Sequence, residues 1–265
     1  MDKLVLLTLA GFAMLNYTKN EETAQEVFQE EITEPLRNVT LIVTYDNNPY
    51  DSRLKTAWGF SCLIKLEGKN ILFDTGGDSA TLMYNMRQLN LDPKEIDAVV
   101  LSHIHGDHVG GLSGILSQNS KVTVIVPESF LQSFKNEVRS HGSRLEEVLE
   151  GKKLFDNVYT TGQLGTSIKE QSLILNTKEG LILITGCSHP GIVEIVAKSR
   201  KMVKAPLLLV MGGFHLGGKT EEEIKEIIAD FKALGYSKSV PATVPEIGQD
   251  ACLRRLTERI LSRLG

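Results

Sequence analysis

The stretch LSHIHGDHVGGL, Leu101–Leu112, decides how this chain is read. It holds three of the six histidines of a 265-residue chain, an aspartate between the second and third, and then a glycine pair. Histidines in most sequences are scattered singles that hydrogen-bond at the surface or in the core. Imidazole and carboxylate crowded together are the side chains that hold zinc, iron and manganese. In an extended loop, His103 and His105 are two positions apart, so their rings fall on the same side and can grip one metal ion. Asp107 and His108 follow as the chain turns and can face a second ion.

The flanking residues place this segment on a strand-to-helix loop, where α/β proteins concentrate chemistry. DAVVL (Asp97–Leu101) is a short β-branched run suited to a strand buried on both faces. HVGGLSGIL can begin a helix. Upstream, VTLIVTYDN (Val39–Asn47) and FSCLIKLEGKNILFDTGG (Phe60–Gly77) alternate and turn like antiparallel strands, with Gly68 and Lys69 at the hairpin. DSATLMYNMRQLNL then puts Leu82, Met86 and Leu89 on one helical face, with Asp78 or Ser79 as N-cap.

Downstream, KVTVIVP reads as a strand, ESFLQSFKNEV as a helix, and the residues through Gly151 as a polar segment. His141 in that segment reads as solvated, while its neighbours Arg139 and Arg144 could meet an anionic substrate. SLILNTKEGLILITGCSH is a second hairpin, turning at Lys178 to Gly180 and ending at His189. Pro190 suits the first turn of the helix PGIVEIVAKSR. APLLLVMGGFHL is a strand ending near His215. TEEEIKEIIADFKALG is a helix with Thr220 and Glu223 as a capping box, Ile224, Ile227, Ile228 and Phe231 inward, and Gly235 as its stop. DACLRRLTERILSRL closes the chain as an amphipathic helix. Strand ends near Asp74, His103, His189 and His215 all collect polar and small residues, which suggests one shared cleft.

Composition narrows the function classes. The apolar fraction of 42% and charged fraction of 23% are those of a globular protein. A net charge of −4 provides no broad basic field, which argues against nucleic acid as the main partner. Cys62, Cys187 and Cys252 are widely spaced and odd in number, so they form neither a disulfide framework nor a C-x-x-C metal knuckle. The apolar run Leu4–Leu15 is short for a bilayer span and fits a signal-peptide core, with a polar tether behind it. The expected division is residues 1–37 for that segment and 38–265 for one domain. Export or membrane association through the N-terminus and a cytoplasmic location are both open.

HIHGDH matches the H-x-H-x-D-H signature of the metallo-β-lactamase-fold superfamily, and FDTGG resembles its preceding Asp-Thr-Gly turn. TGCSHPGIVEIV and GGFHL resemble the branch of methanopterin-pathway ribofuranosylaminobenzene-phosphate dihydropterin synthase-like proteins. The resemblance implies an α/β fold, a four-layer αββα sandwich, with metals at the edge between the two sheets. Cys187 occupies the place where many relatives carry a metal-bridging aspartate. Relatives in this branch usually supply a final histidine late in the chain, yet KSVPATVPEIGQDACLRRL has none.

His189, arriving from a distant strand, can complete the first metal set with His103 and His105. Three protein ligands and an open position form the catalytic pattern rather than the closed structural one. One or two divalent ions are expected, zinc first, with manganese or iron as alternatives. Asp107 and His108 are the expected catalytic pair and His215 a substrate-binding residue. Asp74 reads as a residue that orients ligands from behind. Cys187 reads as a small buried thiol behind the ligands, or as a soft ligand. A metal-dependent hydrolase of a small phosphoester or other anionic ester leads. A pterin-type synthase or transferase and a non-catalytic metal-binding descendant are the alternatives.

Overall fold

In the computed structural model, the described residues are 34–234. The Leu4–Leu15 run, Gly235, the segment lacking the final histidine and the expected closing helix lie outside them.

Period-two alternation builds the first sheet. In β2 (Ser61–Leu66) and β3 (Lys69–Phe73), Cys62, Ile64, Ile71 and Phe73 face one core, while Leu63 and Leu72 face another. The two strands pair antiparallel with Leu66 opposite Lys69. The hairpin therefore turns at Glu67 and Gly68, and Lys69 already belongs to β3. β1 (Thr40–Tyr45) flanks β2, and β4 (Ala98–Val100) joins β3 in parallel. β5 (Thr123–Pro127) and β6 (Arg144–Val148) extend the parallel half, giving the order β1-β2-β3-β4-β5-β6. β4 is fully buried, as its AVV sequence requires for an inner strand covered on both faces.

The second sheet runs β11-β10-β9-β8-β7. It comprises β7 (Glu150–Phe155), β8 (Val158–Gly162), β9 (Leu173–Thr177), β10 (Gly180–Ile184) and β11 (Leu207–Met211). Leu173, Leu175, Ile182 and Ile184 from this sheet meet Phe73, Val100 and Ile125 from the first in a shared core. On the outer face of the first sheet lie α1 (Ser79–Gln88), α3 (Leu112–Gln118) and α4 (Gln132–Ser140). On the outer face of the second lie α5 (Ile192–Met202) and α6 (Glu221–Ala233). The layers are helix, sheet, sheet, helix, the expected αββα sandwich.

Local signals act as expected at most element ends. Asp78 caps α1, its carboxylate accepting from the Thr81 N–H at 2.7 Å. Thr220 and Glu223 form the reciprocal capping box of α6. Three readings need correction. The polar stretch before Gly151 contains β6 and leads directly into β7. Both are sheet edges, and RLEEV and EGKKLF carry the charged residues that an edge tolerates. Pro190 precedes α5, because Gly191 takes the N-cap at φ 99° and the helix begins at Ile192. Leu36, within the expected tether, pairs in parallel with Thr177 beside β9.

Candidate metal centre

The HIHGDH loop leaves the carboxyl end of β4 and turns at once. His105 is the N-cap of a single helical turn, α2 (Gly106–Val109), which swings Asp107 and His108 back toward His103. Thr75 of FDTGG fixes that turn, with its N–H and hydroxyl donating to the His108 carbonyl at 2.7 and 3.0 Å. The glycine pair explains the close approach. A Cβ on Gly110 would stand 2.1 Å from the Gly77 carbonyl oxygen, and one on Gly111 would stand 2.1 Å from that of Thr75. Only glycines let the two motif loops lie against each other.

Asp74 is fully buried beneath the histidines. One carboxylate oxygen accepts from the Ser102 N–H at 2.7 Å. The other accepts from the Ser102 hydroxyl and lies 2.7 Å from His108 Nδ1. The Ser102 oxygen in turn sits 2.9 Å from His103 Nδ1. One carboxylate thus engages the Nδ1 side of His108 directly and that of His103 through Ser102. A ring held at Nδ1 by an acceptor presents the Nε2 lone pair outward, which is how metal-ligating histidines are usually oriented.

The second segment carrying candidate donors is the turn after β10. Ser188 there has a φ of 62°, a left-handed conformation that is uncommon outside glycine. This turn carries Cys187 and His189 into the space above the HIHGDH loop. The His103, His105 and His189 rings are mutually close, with centroids 4.7 to 4.8 Å apart. His103 Nε2 and His105 Nδ1 are 3.1 Å apart. Two nitrogens sharing a tetrahedral zinc at about 2.0–2.1 Å would lie roughly 3.3 Å apart. His108 Nε2 is 3.1 Å from the Cys187 sulfur and 3.3 Å from Asp107 Oδ2.

Two donor groups result among the described residues: His103 with His105 and His189, and His103 with His108 and Cys187. Within each group the ligand atoms lie within 4.8 Å of one another. Cys187 therefore presents its sulfur to the donors instead of standing behind them. His189 Nε2 is buried with no hydrogen-bond partner, a costly state for an imidazole nitrogen unless it faces a ligand. The residues fit a divalent metal ion.

The electrostatics suit that donor set. Burial, reinforced by the surrounding imidazoles, pushes His103 far below the ordinary histidine range. Burial and the neighbouring His215 and His105 bring His189 down to about 4. Both are neutral at physiological pH, as ligands must be. Burial acts in the same sense on His108, but the charge of Asp74, aided by hydrogen bonds to Asp107, Asp74 and Cys187, holds it well above the usual value. Burial raises Asp107, yet the hydrogen bond and charge of His108 outweigh it and keep the carboxylate below its ordinary range. Desolvation raises the Cys187 thiol.

Above the donors opens a pocket of about 200 Å³, lined by Trp58, His105, Asp107, Cys187, His189 and His215. The His215 ring packs 4.7 Å from that of His189, so the fourth strand end does reach the same cleft. The arginines read as possible substrate contacts do not line it. Arg139 pairs with Glu147 at 3.0 Å. Arg144 sits beside Thr123, at the strand-start end of the sheet opposite the ligands. The polar residues that escaped the sequence reading include Ser102 and Glu170. Ser102 adjoins His103, and nothing in its local sequence tied it to Asp74. Glu170, in KEQSL, carried no pattern that tied it to the turn it touches.

Comparison with known proteins gives the family. The metallo-beta-lactamase superfamily model matches residues 59–194. The chain is 32% identical over 238 residues to the 7,8-dihydropterin-6-methyl-4-(beta-D-ribofuranosyl)-aminobenzene-5'-phosphate synthase of Methanocaldococcus jannaschii, covering 71% of this chain and 81% of that protein. It is 30% identical over 155 residues to the ribonuclease Z of Nanoarchaeum equitans, covering 51% of this chain and 48% of that one. Among solved structures, Tm1679, described as a metal-dependent hydrolase of the beta-lactamase superfamily, superposes with a TM-score of 0.67. That match is 25% identical and covers 84% of this chain and 93% of the other. The motif pair, the αββα layers and these matches agree: the chain belongs to the metallo-beta-lactamase superfamily.

Proposed function

We propose that this protein is a metal-dependent hydrolase of small phosphoesters or other anionic esters. The observation that carries the reading is the His103–His105–His189 set, three imidazole donors brought together from two separate loops, with His105 and His189 lining an open pocket and His189 carrying a buried unpartnered nitrogen. Three protein ligands with access from solvent is the catalytic pattern. His103, His105 and His189 would hold the first ion. His108 and Cys187, with Asp107 beside them, would hold a second. When bound, zinc, or manganese or iron in its place, supplies Lewis-acid charge and acidifies water from about 15.7 toward about 7.

The chain's own residues do the rest. Asp107 is an anion at neutral pH and accepts a hydrogen bond from water entering the pocket. His108, braced by Asp74, stands beside that carboxylate with Nε2 3.3 Å from Oδ2. His215 lines the pocket beside His189 and is placed to bind an anionic oxygen of the substrate. The α5 amino end begins three residues beyond His189, and its dipole adds favourable potential for negative charge. With a chain charge of −4, a small anion is favoured over a nucleic-acid backbone.

The synthase relative in M. jannaschii supports a second reading, transfer onto or from a phosphorylated pterin-type substrate at the same site. Hydrolysis of chromogenic phosphomonoesters and phosphodiesters, with added zinc or manganese, tests the first reading. His103→Ala and His189→Ala should each lose most metal and turnover while the fold persists. Turnover that appears only with a pterin pyrophosphate and an aromatic acceptor together selects the second. Metal-loaded protein inactive in every assay would make it a binding protein.

A further inference from the structure

Glu170 is buried at 1% exposure and is not a candidate ligand. Four donors converge on its carboxylate. One oxygen accepts from the Thr185 hydroxyl at 2.9 Å and from the Gly186 and Ser188 N–H groups, both at 3.0 Å. The other accepts from the His189 N–H at 2.9 Å. These donors bracket Cys187 and include the backbone of His189, so the carboxylate grips the whole ligand-bearing turn. The turn needs gripping, because Ser188 sits in a backbone region that side-chain-bearing residues seldom occupy.

The next residue faces the other loop. Gln171 is fully buried; its N–H donates to the Ser102 carbonyl and its amide to the Leu101 carbonyl, both at 2.9 Å. Leu101 and Ser102 lead directly into His103. Two consecutive residues between β8 and β9 thus bind both ligand-bearing segments, one from each sheet. Charge points the same way. All four donors to Glu170 are uncharged, and burial makes an anion there costly. A cation held through His189, or one held through Cys187, would supply a counter-charge near the turn that Glu170 grips.

We propose that Glu170 is the positioning residue of the metal centre: it holds the Cys187–His189 turn in register with the HIHGDH loop and supplies negative charge behind the ligands, and so sets metal affinity. This rests on the reading that a divalent ion occupies the site, and not on which ester is hydrolysed. Glu170→Gln keeps the shape, removes the charge and turns an amide donor toward the N–H groups. Thr185→Val removes one donor of the four and leaves the carboxylate in place.

The test is zinc affinity by competition with a chromophoric chelator, alongside urea unfolding of the metal-free proteins and the absorption spectrum of the cobalt-substituted ones. Glu170→Gln should bind zinc about 10–100-fold more weakly, and Thr185→Val less weakly, in the range that lost outer partners produce. The cobalt spectrum of each should change in its ligand-field bands. A purely structural role predicts lower stability of the metal-free protein with unchanged zinc affinity and an unchanged cobalt spectrum. That result in Glu170→Gln, or in Thr185→Val where the first variant does not fold, overturns the proposal. None of these readouts needs turnover, so they stand or fall apart from the hydrolase reading.

Discussion

Replacing Asp74 by asparagine tests the hydrogen-bond network beneath the histidines most directly. The wild-type carboxylate accepts three bonds of 2.7 Å, from the Ser102 N–H, the Ser102 hydroxyl and His108 Nδ1. An amide has one oxygen. It can serve Ser102 N–H, or the hydroxyl and His108 together, but its NH₂ then faces a donor at the remaining position. The bond lost is worth about 1.5–3 kcal/mol because one partner is charged. His108 also loses its counter-charge, so the total approaches the roughly 3–5 kcal/mol of a broken buried ion pair.

The pH dependence follows from His108. Its folded, metal-free pKa lies well above the ordinary value, so the folded protein binds that proton more tightly than the unfolded chain. The stabilisation is fully present below the unfolded value of about 6.5 and is lost as pH rises through the folded one. With asparagine at 74, the charge of that carboxylate is gone while the Asp107 and Cys187 contacts remain, so this contribution shrinks. Urea unfolding of both chelator-treated proteins should therefore show the widest gap below about pH 6.5 and a narrowing gap as pH rises through the folded value of His108. Zinc binding should weaken by about 10–100-fold, as for other lost partners of ligating histidines. A gap that does not change with pH, together with wild-type zinc affinity, would refute the network as drawn.

Other perturbations probe separate features. Gly111→Ala puts a methyl 2.1 Å from the Thr75 carbonyl and should cost at least about 1–3 kcal/mol in urea unfolding, whereas Gly106→Ala, with nothing within 4 Å, should stay within about 0.5 kcal/mol. Cys187→Ala should abolish the thiolate charge-transfer absorption of the cobalt-substituted protein and move metal content toward one ion per chain. A cobalt spectrum without that band in the wild type would remove Cys187 from the ligand set. During graded dialysis, the three-imidazole position should keep its metal longer than the His108–Cys187 position, which elemental analysis of successive fractions decides. Lys135 is buried and its ammonium reaches Glu147 at 2.7 Å, a hydrogen bond that holds Glu147 below the ordinary glutamate range. Glu147 is itself about a third exposed, so Glu147→Gln should cost at most about 1 kcal/mol. That contribution is present above about 4.5 and should vanish from thermal melts as pH falls through the folded value.

How much could be read in advance depended on whether a feature is local. HIHGDH declared itself because metal chemistry needs these side chains at this spacing. DAVVL, SLILNT and the Thr220–Glu223 box declared their elements because burial period and capping act within a few residues. The edge strands β6 and β7 stayed hidden, since an edge carries charged side chains and loses the apolar alternation that marks an inner strand. Cys187 was ambiguous in one dimension, because a small thiol looks the same whether it packs or binds. Its approach to His108 depends on Gly186, where a Cβ would meet the Ser102 hydroxyl at 2.2 Å, and on the left-handed turn at Ser188. Glu170 and Gln171 were invisible as site residues, for their partners lie in segments that meet them only when the two sheets pack together. The candidate donor types were thus legible from the chain alone. Which nitrogens face one another, and what buried carboxylates hold them there, was decided by tertiary contact, because a hydrogen bond between distant segments leaves no periodic trace in sequence.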